Sequence, residues 1–495
     1  MKRISPKGRY FILILIITAL ACFLSVKQGH QWGDDFAQYL QQAVALSEGT
    51  TDKFVEDNTF IVLNSPVEMA TPVYPWGFPL LLSLFVPFFG TNIILYKIVC
   101  CVIIVLMTAA FYLFLCNYFN EIKSFMLALC IGLDYYILKF CNNVVSDIPF
   151  LLIMLIIVIL MNDYFEDDLK WPKLLAIGLT MGYSYMIRSQ GIVFILSYFL
   201  CNILYFVFNK DKFRKADIIN SIMPYIGFAV VIILDKLLLP HSARSSLYFL
   251  ESMNLSIFLK NIFFYAIVLY SYVSSPSKYQ LLIYCFLLVF VLFGAISLIK
   301  KKKDFKKILF LLLCSIMLYG INTLFPWHQG GRYMIPLIPL FVVLLGYGID
   351  FVYEILQLNT RTVNILKICA CLVFCLYGVV FYGVQNIKDG REYYKGSYTP
   401  YALETYEFIN MNVNDDEVIC FFKPRALYYQ TGKISIKPLD NTYEAIKDYD
   451  YLLLNYEDDY IDLNQIENSE NSYGISLIKV FENNNFTMFR INRNE

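Results

Sequence analysis

The strongest constraint in this 495-residue sequence is a series of long apolar runs that recurs from the N-terminus to about residue 384. A hydrocarbon core of roughly 30 Å is crossed by about 20 helical residues. Runs that meet this ruler lie at 10–26, 91–117, 124–140, 148–163, 173–187, 190–208, 217–238, 280–299, 306–324, 334–353 and 364–384. The expected fold class is therefore an α-helical polytopic membrane protein with about eleven transmembrane helices. Composition agrees: 58% of residues are hydrophobic and 16% are charged, against about 25% charged in soluble domains. The 40 Lys+Arg balance 40 Asp+Glu, which excludes a basic nucleic-acid binder and an acidic disordered tail protein.

Residues 10–26 follow a basic N-terminus and resemble a signal peptide, but no small-residue cleavage site follows, so they are read as a retained first helix. Basic residues prefer the cytoplasmic side of short loops. The clusters Lys2, Arg3, Lys7, Arg9; Lys210, Lys212, Arg214, Lys215; and Lys300–Lys303 with Lys306 and Lys307 all fall there when the N-terminus is cytoplasmic and the spans are eleven. The loops 27–90, 139–147, 188–190, 239–279 and 325–333, and everything after 385, then face the outside. Residues 77–89 are apolar but too short to cross and carry two prolines, which suits an interfacial or re-entrant helix.

Two regions follow: 1–384, a transmembrane domain whose outer loop 27–90 carries amphipathic helices, and 385–495, a soluble tail. The tail has 19 Asp+Glu against 11 Lys+Arg and alternates turn residues with short apolar runs. A helix is expected near 400–412, strands near 417–422, 450–455, 475–482 and 486–491, and helical turns near 424–431 and 441–448. That pattern reads as a small α/β domain whose default role is a stabilising cap.

Most of the 13 cysteines sit inside the apolar runs, where the residue behaves as a small hydrophobe. Cys369, Cys371 and Cys375 are close in sequence but have no evident His or Cys partner, so metal binding there is not expected.

The residues that carry chemistry lie in the outer loops. Asp34-Asp35-Phe36 opens an amphipathic helix through Gly49, where a carboxylate serves either as a plain N-terminal cap or as a general base. Tyr74, Pro75 and Trp76 lead into the short apolar helix; aromatic rings at that level suit the membrane interface and also suit a sugar. Asp147, after Ser146 and before Pro149, caps the start of a span. Arg188 precedes Gly191 between two spans, where snorkelling is the default account. The segment Pro326-Trp327-His328-Gln329-Gly330-Gly331-Arg332-Tyr333 places a cation beside adjacent glycines, a pattern that admits an anionic head group.

Together these segments resemble the GT-C glycosyltransferases that use polyprenyl-phosphate sugars, especially the aminoarabinose lipid A transferases and protein O-mannosyltransferases. The resemblance covers most of the chain. It rests on Asp34-Asp35-Phe36 with Tyr39, on Tyr74-Pro75-Trp76-Gly77-Phe78-Pro79, on Ser146-Asp147-Ile148-Pro149, on Arg188 with Gly191, and on Gly331-Arg332-Tyr333-Met334-Ile335-Pro336. It implies an inverting membrane transferase with a polyprenyl-phosphate sugar donor and a lipid, glycan or protein acceptor. Asp34 would be the catalytic base with Asp35 beside it. Arg332, His328 and Arg188 would contact the donor phosphate, because the lysine that the aminoarabinose branch places before the proline at 75 is missing here. Tyr74, Trp76, Asp147 and Tyr333 would contact substrate. A divalent metal shared by Asp35 and Asp147 is left open, since two carboxylates alone do not specify one. A bacterial inner membrane is the preferred setting, and the sequons at Asn254 and Asn485 do not change it. The alternative is a transporter or lipid flippase, for which Lys97, Asp134 and Asp235 are the charges near mid-span and no internal repeat is evident.

Overall fold

The computed structural model describes residues 5–493 except 67–70, 167–169, 209–214, 242–252, 302–304, 326–327, 329, 358–359, 393–394 and 458–459. Parts of the three basic clusters, and Pro326, Trp327 and Gln329, lie outside the described residues. The chain divides into two compact units: Met1–Val26, Lys97–Leu238 and Leu247–Gly390 form one, and Lys27–Tyr96, Leu239–Ser246 and Arg391–Glu495 form the other.

The first unit is helical. Among the described residues eight helices are long and apolar enough to cross a membrane: Pro6–Ser25, Ile93–Leu115, Asp147–Tyr164, Asn220–Leu238, Leu255–Tyr272, Ser277–Lys300, Gly331–Leu356 and Lys367–Lys388. A ninth candidate, Glu121–Gly132 with Tyr135–Asn142, is bent by 52°. Ser189–Leu204 and Ile308–Thr323 are apolar but shorter. The run expected at 173–187 is the helix Trp171–Ile187. The chain is thus a multi-pass membrane protein.

Two departures from the sequence reading have causes that include contacts from distant segments. The run 124–140 is not one helix, because Asp134 starts a new turn: its carboxylate accepts from the N–H groups of Tyr136 (2.8 Å) and Ile137 (3.3 Å) and from the Ser274 hydroxyl (2.6 Å). Leu255–Tyr272 lies in what the sequence suggested was an outer loop. Its Asn261 amide donates to the carbonyls of Thr323 (3.0 Å) and Phe325 (2.6 Å), so a polar residue that interrupts the apolar run is satisfied by a neighbouring chain end. Close backbone packing joins Ser277–Lys301 to Ile338–Leu356. A Cβ on Gly348 would stand 1.8 Å from the Phe290 carbonyl oxygen, and one on Gly294 would stand 1.9 Å from that of Leu344.

In the second unit the segment 27–96 groups with the tail. Its sheet has strands β1 (Ile419–Cys420), β2 (Ser435–Ile436), β3 (Tyr451–Asn455), β4 (Ile475–Glu482) and β5 (Phe486–Arg493) in the order β2-β1-β3-β5-β4. β1 runs parallel to β2 and β3, and β5 pairs antiparallel with β3 and β4. Central β3 is buried at every position, as its unbroken Tyr-Leu-Leu-Leu run requires. Helices Pro400–Asn412 and Pro424–Thr431 match the sequence expectation. The core of Ile419, Phe421, Leu427, Leu452, Leu453, Phe486 and Met488 also receives Trp32 from the first loop. Gly396 adopts φ +140°, where a Cβ would stand 2.2 Å from the His30 carbonyl oxygen; only glycine lets the two segments run this close.

Candidate functional site

Asp34 and Asp35 occupy the first turn of the helix Asp34–Glu48, where free N–H groups favour negative charge. Two glutamines on this helix hold the segment that carries Tyr74, and a third reaches the tail. Gln38 donates to the Pro72 carbonyl (2.6 Å), and Gln42 both donates to the Tyr74 carbonyl (2.9 Å) and accepts from its N–H (3.1 Å). Gln41 donates to the Arg425 carbonyl (2.9 Å), which draws the helix Pro424–Thr431 to the same place. The Tyr74 hydroxyl donates to Asp35 Oδ1 (2.7 Å) and accepts from Arg425 (3.1 Å). Arg425 is 1% exposed and also donates to the Thr71 carbonyl (2.9 Å). Asp35 is therefore committed to a structural chain of bonds, and Tyr74 is its donor.

Asp34 is held more loosely. Its Oδ2 lies 3.9 Å from Lys423 Nζ, and its side chain is 19% exposed. Burial raises its carboxyl pKa above the usual aspartate value, opposed by the positive charges of Lys423 and Arg425 and by the Ala426 N–H, while Asp35 adds to the rise. Burial likewise pushes the Tyr74 hydroxyl well above its usual range, so it stays protonated and able to donate. Lys423 and Arg425 were not singled out in the sequence. They lie nearly 390 residues from Asp34, in a tail that carries no recognisable phosphate or metal motif.

In the helical unit, Arg188 meets Asp147 at 2.8 Å, with side chains 12% and 2% exposed, and also donates to the Ser146 hydroxyl (3.4 Å). The guanidinium carbons of Arg188 and Arg332 lie 4.6 and 5.3 Å from the centroid of the Tyr333 ring. Asn322 donates to the Tyr333 carbonyl (3.0 Å) and accepts from Gln190, while the Tyr272 hydroxyl donates to the Gly331 carbonyl (2.9 Å). The structure thus brings together four residues that the sequence named separately: Asp147, Arg188, Arg332 and Tyr333. It also changes their roles. Asp147 is engaged by Arg188, and the Tyr333 ring is engaged by the guanidiniums, so neither offers itself first to a sugar. Arg332 is half-buried; His328 is exposed and stacks on Phe264 with ring centroids 3.9 Å apart.

Trp76 corrects the aromatic reading. It is 2% exposed, packs edge-on to Phe54, and donates its indole N–H to the Pro240 carbonyl (2.9 Å). A ring buried in this way is core and presents no face to a ligand. Each carboxylate of the Asp35 and Asp147 pair already has a protein donor, Tyr74 for Asp35 and Arg188 for Asp147. Among the described residues, the groups of three ligand-type side chains close enough for one ion are both cysteine triads, Cys22–Cys101–Cys141 and Cys130–Cys371–Cys375. The second overturns the expectation that Cys371 and Cys375 lack a partner: Cys130 Sγ lies 3.5 Å from Cys371 Sγ.

Residues 70–240 match the dolichyl-phosphate-mannose-protein mannosyltransferase family. No curated protein sequence matches the chain. Among solved structures, the chain is similar to ArnT from Cupriavidus metallidurans bound to undecaprenyl phosphate, with TM-score 0.53 and 11% identity over 98% of each chain. The apo form of that protein gives TM-score 0.57 and 9% identity over 98% of each chain. The archaeal oligosaccharyltransferase AglB from Archaeoglobus fulgidus, in complex with an inhibitory peptide and a dolichol-phosphate, gives TM-score 0.56 and 11% identity over 92% of this chain and 70% of its own. The fold is that of the GT-C membrane enzymes.

Proposed function

We propose that this chain, a GT-C superfamily protein of the ArnT and protein O-mannosyltransferase type, moves a sugar from a polyprenyl-phosphate donor to a lipid, glycan or protein acceptor. The observation that carries this reading is Asp34: a carboxylate at a helix N-terminus, in the first extramembrane loop, whose pKa is raised by burial and which is not closed off by a tight ion pair. A base whose pKa sits nearer to the working pH is better matched to taking a proton from an acceptor hydroxyl or amine.

In the proposed reaction the acceptor attacks the anomeric carbon, Asp34 takes its proton, and the lipid phosphate leaves from the opposite face, so the anomeric centre inverts. Cationic groups stabilise the charge that develops on the leaving phosphate. Arg332 and Arg188 are the proposed groups for this, both with their guanidiniums beside the Tyr333 ring. His328 stands in the same segment as a weaker contact. Asp35, Tyr74 and Arg425 fix the helix start that carries Asp34.

The proposed topology keeps the N-terminus cytoplasmic, with the first loop and tail outside, and the inner membrane of a bacterium as the setting.

The test is transfer of radiolabelled sugar from polyprenyl monophosphates in membranes carrying the wild type, Asp34→Asn or Arg332→Ala. Loss of transfer in folded, inserted Asp34→Asn supports the base. Wild-type rates in both variants would remove this site, and no turnover of any donor by the wild type would remove the reading itself.

A further inference from the structure

Cys22, Cys101 and Cys141 come from three separate places: the end of the helix Pro6–Ser25, the first half of the helix Ile93–Leu115, and the single 3-10 turn Lys139–Asn142. Their sulfur atoms all lie within 4.8 Å of one another. Cys22 and Cys141 are 1% and 0% exposed. Beside them is Lys97, one helical turn before Cys101 and also 0% exposed, whose ammonium donates to Asn142 Oδ1 at 3.4 Å. Asn142 is the residue after Cys141, and its own amide donates to the Ser25 carbonyl (2.7 Å) and the Tyr382 hydroxyl (3.1 Å).

We propose that this triad is a binding site for one thiophilic divalent cation, zinc by preference, with Lys97 as its counter-charge. Thiolates select soft and borderline metals, and Zn–S bonds of about 2.3 Å place neighbouring sulfurs about 3.8–4.0 Å apart, within the span the three sulfurs already occupy. Binding converts three thiols and one Zn²⁺ into a trithiolate complex of net charge −1 and releases three protons to solvent. In a dry interior that negative charge requires a partner, and the Lys97 ammonium brings the sum to zero. The second triad is also gathered within 4.8 Å, with 3.5 Å for Cys130–Cys371 and 3.9 Å for Cys371–Cys375. The first triad is buried whereas the second is only partly buried, so the metal goes to the triad enclosed away from solvent, beside Lys97. Its effect is to pin the turn at 139–142, five residues ahead of Asp147, against the first two helices.

The experiment uses the full-length protein in detergent, reduced, stripped with a chelator and titrated with Co²⁺ alone, then with Zn²⁺. The expected result is a thiolate-to-cobalt charge-transfer band at one equivalent per chain, displaced by zinc. It is lost in Cys101→Ser and Cys141→Ser and kept in Cys130→Ser and Cys371→Ser. Lys97→Met should weaken cobalt binding by about tenfold or more, the scale of an outer-shell partner. Should the serine variants not fold, the wild type still decides: zinc must shield Cys22, Cys101 and Cys141 from alkylation, read by mass spectrometry, and leave Cys130 and Cys371 reactive. Absence of the band, its survival in Cys101→Ser, shielding at the other triad, or a native disulfide among the three would each overturn the proposal.

Discussion

In the helical unit Asp147 meets Arg188 at 2.8 Å with both side chains buried, whereas in the unit built from the first loop and the tail Asp34 stands 3.9 Å from Lys423. The first arrangement spends its carboxylate: a buried charge in close contact with a guanidinium is neutralised and organises the chain around it. The second leaves the carboxylate within the field of two cations but not clamped by them, and burial then lifts its pKa. Two acids that look alike in sequence, each at the start of a helix, are thus set apart by the distance of the cation that the fold brings to each.

The comparison is broken most directly at Asp34. Asp34→Asn should lower transfer by about 10²- to 10⁴-fold, the usual contribution of a general base, measured as kcat/KM with a saturating acceptor. Because the folded-state pKa of Asp34 is raised, its ionised form costs stability, and that cost appears as pH rises from the unfolded value through the folded one. Asp34→Asn should therefore melt at or above the wild-type temperature near neutral pH. The wild-type rate should rise with pH through the same raised pKa; an acid limb at the ordinary aspartate value would contradict the assignment.

Arg188→Ala is the converse case. It strands Asp147, 2% exposed, without its partner, so a loss of about 3–5 kcal/mol is expected, read from thermal or denaturant unfolding in detergent. Adding Asp147→Asn should recover part of it; equal stability of the single and double variants would deny the coupling. Arg332→Ala should lower kcat by about 10²- to 10³-fold through loss of phosphate stabilisation, with Arg332→Lys restoring part of the rate. Tyr74→Phe removes a hydroxyl that joins Asp35 to Arg425 and should cost about 1–2 kcal/mol of stability, with a smaller effect on rate than Asp34→Asn. The smallest effect sharpens the aromatic assignment. Trp76→Phe should lower the melting temperature slightly and leave KM for the donor unchanged, since the indole is packed against Phe54 rather than open to a sugar; a raised KM would return Trp76 to the binding surface.

Local chemistry made much of the architecture legible. The helix Pro400–Asn412 and the strands β3 and β4 follow from apolar patterning and turn residues alone, because each is decided by side chains within one segment. The break at Asp134 was not legible, since its cause includes Ser274 on a distant segment. Leu255–Tyr272 was missed because Asn261 and Lys260 lower its apolarity, and the partner that satisfies Asn261 comes from another helix end. In the candidate site, Asp34, Asp147, Arg188 and Arg332 were visible as charged residues at the ends of apolar runs. Their pairings, and the arrival of Lys423 and Arg425, depend on chain closures of 41 residues for Asp147–Arg188 and 389 for Asp34–Lys423.

The sequence by itself determined that this is a multi-pass membrane protein with a small α/β tail. Burial of apolar length and strand alternation are properties of contiguous residues and can be read without folding the chain. Only the tertiary structure decided which acid is held in a close ion pair and which is not, that Trp76 is core, that the first loop packs with the tail, and that six cysteines gather into two triads. Those outcomes depend on distances of a few ångströms between residues remote in the chain, and electrostatic and ligand interactions are decided at that scale.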